Sequence, residues 1–84
     1  MKHVTADALD QLDDVLRRLR GLNGLREKSR GVFYRGSRAF LHFHEDRSGL
    51  YADVRLGTEF ERMRVTTKAE RNRLLSAVRA AVRD

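Results

Sequence analysis

The sequence predicts an α+β fold of two layers, a helix, a four-stranded antiparallel meander and a second helix, with both helices on one sheet face. Three observations carry this. Apolar residues recur at helical spacing towards both ends of the chain, the middle alternates apolar and polar residues with period two, and short Gly- and Ser-bearing breaks divide the middle into hairpins. An apolar stripe on each helix and one apolar sheet face bury one another in a two-layer packing. At 84 residues, this is expected to be a single domain over 1–84.

Between Thr5 and about Arg20, Ala8, Leu9, Leu12, Val15, Leu16 and Leu19 fall three or four apart, the mark of an amphipathic helix. Thr5 suits the N-cap. Asp7, Asp10, Asp13 and Asp14 come before Arg17, Arg18 and Arg20, the order the helix dipole favours, so these charges read as structural. Gly21-Leu22 ends the helix, and residues 23–30 read as a basic connector.

Gly31 to Arg35 reads as a strand, turned by Gly36-Ser37 into the strand that begins at Arg38. That turn pairs Tyr34 with Ala39 and Val32 with Leu41 on the core face, and Phe33 with Phe40 and Arg35 with Arg38 on the other. The next hairpin runs from Ala39 to Leu56 through a turn at Asp46-Arg47-Ser48-Gly49. A one-residue slip would turn every side chain over, so the register follows from keeping both apolar sets together. It sets Glu45 against Leu50, Phe43 against Ala52 and Leu41 against Val54 on the core face. Opposite them, His44 meets Tyr51, His42 meets Asp53 and Phe40 meets Arg55. A turn at Gly57-Thr58 leads into a fourth strand over about Glu59 to Val65, with Met63 and Val65 inward and Phe60, Arg62 and Arg64 on the open face. Thr67-Lys68-Ala69-Glu70 has the form of a capping box. A second helix to about Arg83 buries Leu74, Leu75, Val78, Ala81 and Val82.

Composition narrows the chemistry. Without cysteine there is no disulfide, thiolate nucleophile or cysteine-based zinc site. The first residues lack the apolar run of a secretory signal, and no apolar stretch approaches the length of about 18 residues that a membrane span needs. The expectation is a cytoplasmic protein with no membrane partner. Residues 1–20 balance their charges, so the formal net charge of +6 lies entirely on the remainder. Such an excess favours an anionic partner.

On these registers the open face carries Phe33, Arg35, Arg38, Phe40, His42, His44, Tyr51, Asp53, Arg55, Phe60, Arg62 and Arg64. Aromatic rings interleaved with arginines can stack bases and neutralise phosphates. The principal reading is therefore a non-enzymatic binding module for nucleic acid or a phosphate-bearing ligand, with no cofactor. A second reading is a homodimer that buries Phe33, Phe40 and Phe60 behind an arginine rim. A third is an enzyme built on His42, His44 and Asp53, since two imidazoles and a carboxylate form a metal-ligand set or a His-Asp general base. The ordinary alternative is partly exposed sheet histidines salt-bridged to a neighbouring Asp. Ser37 and Ser48 lie in turns and have no obvious base.

The string from Val32 to Glu45, together with Gly49 to Leu56, resembles small bacterial "luciferase family" proteins. The shared pattern is an R-x-F/L-x-H-x-H strand followed by an A-D-V/L-x-L strand, matched here by Arg38, Phe40, His42, His44, Ala52, Asp53 and Leu56. The likeness covers the central third of the chain. It implies a two-layer fold and directs attention to His42, His44 and Asp53, but supplies no reaction. After Leu56 the chain departs from the pattern, which continues through a Trp-containing strand, whereas this chain has no Trp. More loosely, the helix-and-meander layout is similar to small double-wing DNA-binding proteins.

Overall fold

The computed structural model of the chain describes residues 2–83. Its elements in chain order are β1 (Lys2–His3), α1 (Ala6–Gln11), α2 (Asp13–Arg20), β2 (Arg26–Ser29), β3 (Val32–Arg35), β4 (Arg38–Asp46), β5 (Gly49–Val54), β6 (Glu61–Arg64) and α3 (Lys68–Arg83). The antiparallel sheet has the order β2-β3-β4-β5-β6, with β1 paired to β4 beside this path. It is thus an open sheet with more strands than the four expected.

The extra strands are those with least apolar pattern. β2, Arg-Glu-Lys-Ser, lies at the sheet edge with mostly exposed side chains, so it bears no alternation and looked like a connector. Charged edge strands of this kind resist pairing with other chains. β1 pairs only Lys2 with Glu45 and His3 with His44.

The expected first helix is interrupted once. At Leu12 the backbone opens to φ −95° and ψ 10°, and its N–H is shared between the Ala8 and Leu9 carbonyls. Asp13 and Asp14 then occupy the first turn of α2, where acidic side chains favour a helix start. Thr5 caps α1, its Oγ1 accepting from the Ala8 N–H at 3.2 Å. The box before α3 closes in both directions: Glu70 N–H donates to Thr67 Oγ1 at 3.2 Å, and Thr67 N–H donates to Glu70 Oε1 at 2.9 Å.

The β4–β5 register is the expected one throughout, from Leu41 opposite Val54 to Glu45 opposite Leu50. β6 pairs Met63 with Ala52, Arg62 with Asp53 and Arg64 with Tyr51, which puts Met63 on the core side and Arg62 and Arg64 on the other as expected, although the strand is shorter than expected. The β3–β4 pairing differs. Arg35 faces Arg38 and Tyr34 faces Ala39, but Phe33 then faces Leu41, leaving Phe40 as an extra residue on β4. Such a bulge puts two consecutive residues on one strand against one on its partner. As a result Phe40 and Leu41 are both buried, and Phe33 is completely so. Phe33 and Phe40, expected on the open face, therefore belong to the core. Tyr34 and Val32, expected inside, are only half-buried, and the Tyr34 ring carries the Lys28 ammonium 4.6 Å from its centroid.

A single buried cluster joins Leu9, Leu12, Leu16 and Leu19 of the first two helices and Leu74, Leu75 and Val78 of α3 to Phe33, Phe40, Phe43, Ala52 and Val54 of the sheet. Among the described residues no polar or charged side chain is buried in it. No helix among them is long and apolar enough to cross a membrane.

Glu27 ties the edge strand to the helical layer. Its carboxylate accepts from the Arg20 guanidinium and, at 2.9 Å, from the Gly31 N–H. The Arg20 hydrogen bond, offset in part by burial and aided by the Gly31 bond, holds this carboxyl below its ordinary range. A carboxyl depressed in the folded state adds stability above its unfolded value, and that stability is lost as pH falls through the folded value. Urea midpoints measured from neutral to acid pH should therefore fall less steeply in Glu27→Gln than in wild type. Parallel curves would mean that Glu27 does not contribute to the acid limb.

Candidate functional site

The alternation of β4 and β5 directs His42, His44, Tyr51 and Asp53 away from the core, and β6 brings Arg62 and Arg64 beside them. Asp53 is the centre of this group. Its Oδ1 accepts from Arg62 Nε at 2.8 Å, and its Oδ2 accepts from Arg62 Nη2 at 3.0 Å. His44 Nε2 lies 2.8 Å from the same Oδ2, whereas His42 Nε2 stops at 3.6 Å. The Cα partner of Asp53 is thus His42, but the hydrogen bond goes to its diagonal neighbour His44.

The two imidazoles meet edge to face at 4.8 Å between centroids, and Phe60 packs on the outer side of His42 at 5.3 Å. The Asp53 side chain is only 14% exposed, against 20% for His44 and 35% for His42. The Arg62 hydrogen bond, opposed by burial and supported by His44, holds the Asp53 carboxyl below its usual range. Burial, followed by the neighbouring His44, pushes the His42 imidazolium down, against the pull of Asp53. The outcome is an ionised carboxylate with two imidazole nitrogens turned towards it.

A second feature lies at the end of the sheet. A cleft of about 290 Å³ is lined by Arg35, Arg38, Ala39, Phe40, Arg55, Leu56 and Gly57. Arg35 and Arg38 are direct partners across the β3–β4 turn. Arg55 is anchored by donating from Nε to the Ala39 carbonyl at 3.2 Å and from Nη1 to the Thr58 carbonyl at 3.0 Å. Its guanidinium also covers Phe60, 4.4 Å from the ring centroid. Carbonyls orient the group without cancelling its charge. No acidic side chain lines the cleft among the described residues.

No family model, curated protein or solved structure matches the chain. Residue roles therefore rest on the geometry alone.

The candidate residues from the sequence divide into three sets. His42, His44, Tyr51, Asp53, Arg62 and Arg64 come together on the outward side of β4, β5 and β6. Arg35, Arg38 and Arg55 form the cleft, with Phe60 linking Arg55 to His42. Phe33 and Phe40 are removed from the face by the bulge. Two of the arginines are already matched: Arg62 by Asp53 and Arg64 by Glu70, to which it donates at 3.0 Å. Sequence reasoning did not anticipate the cleft as a site. Its signal was the pair of arginines flanking Gly36-Ser37, like charges on facing positions of a tight hairpin.

Proposed function

We propose that the chain is a binding module that takes up an anionic, phosphate-bearing partner, nucleic acid included, at the Arg35, Arg38 and Arg55 cleft. One observation carries the reading: three guanidiniums line a cleft with no acidic side chain among its lining residues. Like charges directly opposite each other on neighbouring strands destabilise a sheet. An anion between Arg35 and Arg38 would turn that repulsion into attraction. Guanidinium forks match phosphate oxygens two at a time, and Arg55 is already held in place by two carbonyls. Arg62 and Arg64, paired with carboxylates, contribute little net charge to the partner.

With Phe33 and Phe40 in the core, the face lacks the aromatic platform that would stack a run of bases. Phe60 and Tyr51 remain for contacts beside the cleft. The same burial removes two of the three rings that the homodimer reading needed. Phe60, 38% exposed, is the only large apolar side chain exposed among the described residues.

The test is a titration of a labelled single-stranded oligonucleotide, with inorganic phosphate and a mononucleotide as competitors, at about 50 and 200 mM salt. Arg38→Ala and Arg55→Ala should each weaken binding several-fold and lower the salt slope by about one phosphate contact. Arg79→Ala, on the exposed side of α3, is the control and should change little. Equal losses in all three variants would reduce the effect to overall charge and sink the cleft as the site. Competition by the mononucleotide alone would favour a small ligand, and its failure a polymer.

A further inference from the structure

We propose that His42 Nε2, His44 Nε2 and Asp53 Oδ2 together bind one divalent transition-metal cation of the zinc class, with the remaining coordination positions open to the outside. One donor atom from each of these residues lies within 4.8 Å of the other two. Ligand atoms held about 2.0–2.2 Å from a zinc ion at tetrahedral angles stand about 3.3–3.5 Å apart. The observed separations from Asp53 Oδ2, 2.8 Å to His44 and 3.6 Å to His42, bracket that spacing. To seat the ion the rings must turn until the two imidazole nitrogens, within 4.8 Å of each other, reach the same spacing.

The arrangement is uneven as a plain ion-pair network. Asp53 hydrogen-bonds His44 and Arg62 but not His42, whose Nε2 faces the same oxygen from beyond hydrogen-bond range. A cation among the three donors would engage both rings at once. Two imidazoles and one carboxylate suit zinc, iron, cobalt or nickel and disfavour magnesium and calcium, which take oxygen ligands. Three ligands on two paired strands are held by rigid backbone. Phe60 packs against His42 edge to face.

Arg62 donates to both oxygens of the Asp53 carboxylate, the proposed ligand atom Oδ2 included, and so competes with the ion for it. Its charge also opposes an incoming cation. Being 44% exposed, its side chain has solvent to turn into when the ion arrives. The inference therefore makes a signed demand on Arg62: its removal must not abolish binding.

The full chain, freed of metal with a chelator, is titrated with Zn²⁺ by calorimetry and with Co²⁺ by visible absorption. His3→Ala serves as the background, so that the histidine near the amino terminus does not compete. Saturable binding of one ion per chain is expected. His42→Ala, His44→Ala and Asp53→Asn should each weaken it by at least about tenfold, while Arg62→Ala keeps or tightens it. Urea midpoints establish that each variant is folded. Histidine side-chain NMR on the unsubstituted ligand set should show His42 and His44 resonances shifting together with added Zn²⁺, a readout that needs no ligand variant. Absence of saturable binding, binding that persists in the three ligand variants, or unmoved His42 and His44 resonances would overturn the proposal.

Discussion

Replacing Phe33 with Ala should cost about 3–5 kcal/mol, the loss typical of a large aromatic removed from a packed core. Single domains have total stabilities of about 5–15 kcal/mol, so the protein would lose about a fifth of its margin or more. The expectation depends wholly on the bulge at Phe40. With Phe33 opposite Leu41, the ring points inward and is completely buried. Had β3 and β4 kept a regular register, Phe33 would stand on the open face and its removal would cost little. Phe60→Ala is the internal comparison, because that ring is exposed outside the core, packed on His42 and Arg55, and its loss should cost less. Urea unfolding of the two variants beside wild type measures the difference. A loss below about 1 kcal/mol for Phe33→Ala would place the ring outside the core and remove the bulge with it.

The bulge also explains where sequence reasoning succeeded and where it failed. Parity identifies a sheet face only while the strand stays regular. From Leu41 to Glu45 and from Leu50 to Val54 it does, so the outward placement of His42, His44, Tyr51 and Asp53 was legible. Met63, as an inward residue between Arg62 and Arg64, carried the same logic into β6. At Phe40 the rule breaks. The turn at Gly36-Ser37 was placed correctly, and its pairs Arg35 with Arg38 and Tyr34 with Ala39 are the observed ones. One residue later the ladder slips, so the facing set by the turn does not carry on to Phe33 and Phe40. The available signal was local: Phe40 and Leu41 are adjacent apolar residues in a strand that otherwise alternates.

β2 was illegible for a different reason. An edge strand satisfies one row of backbone groups on its neighbour and contributes little to the core, so nothing selects apolar residues at alternate positions. The charge of the site was overread because pairing is a property of structure. Arg62 and Arg64 count as cations in the sequence, yet each sits on a carboxylate, one across the sheet and one in the first turn of α3. What remains for an anion is concentrated at Arg35, Arg38 and Arg55, where the sequence pattern is only a pair of arginines around a turn and a third at a strand's end.

Gly49→Ala should cost about 2–5 kcal/mol, from backbone strain of about 1–3 kcal/mol and the loss of hydrogen bonds worth about 1 kcal/mol each. Gly49 opens β5 at φ +139°, a conformation that side-chain-bearing residues rarely adopt. A methyl there would stand 2.2 Å from Thr66 Oγ1 and 3.3 Å from Arg64 Nη2. Neither neighbour is idle. Thr66 Oγ1 accepts from the Leu50 N–H at 2.8 Å and donates to the Leu50 carbonyl at 3.2 Å, fastening the start of β5 to the segment that leaves β6. Arg64 Nη2 donates to the Ser48 carbonyl at 3.0 Å and so holds the β4–β5 turn. The added methyl must push the Thr66 hydroxyl out of its place. Thr66→Ala should therefore cost less in the Gly49→Ala background than in wild type, because the bonds it would remove are already broken. Denaturant unfolding of the two single variants and the double variant measures this coupling, expected at about 1 kcal/mol. Costs that add to within about 0.5 kcal/mol would mean that the chain absorbs the methyl without moving Thr66, leaving only the backbone strain at Gly49.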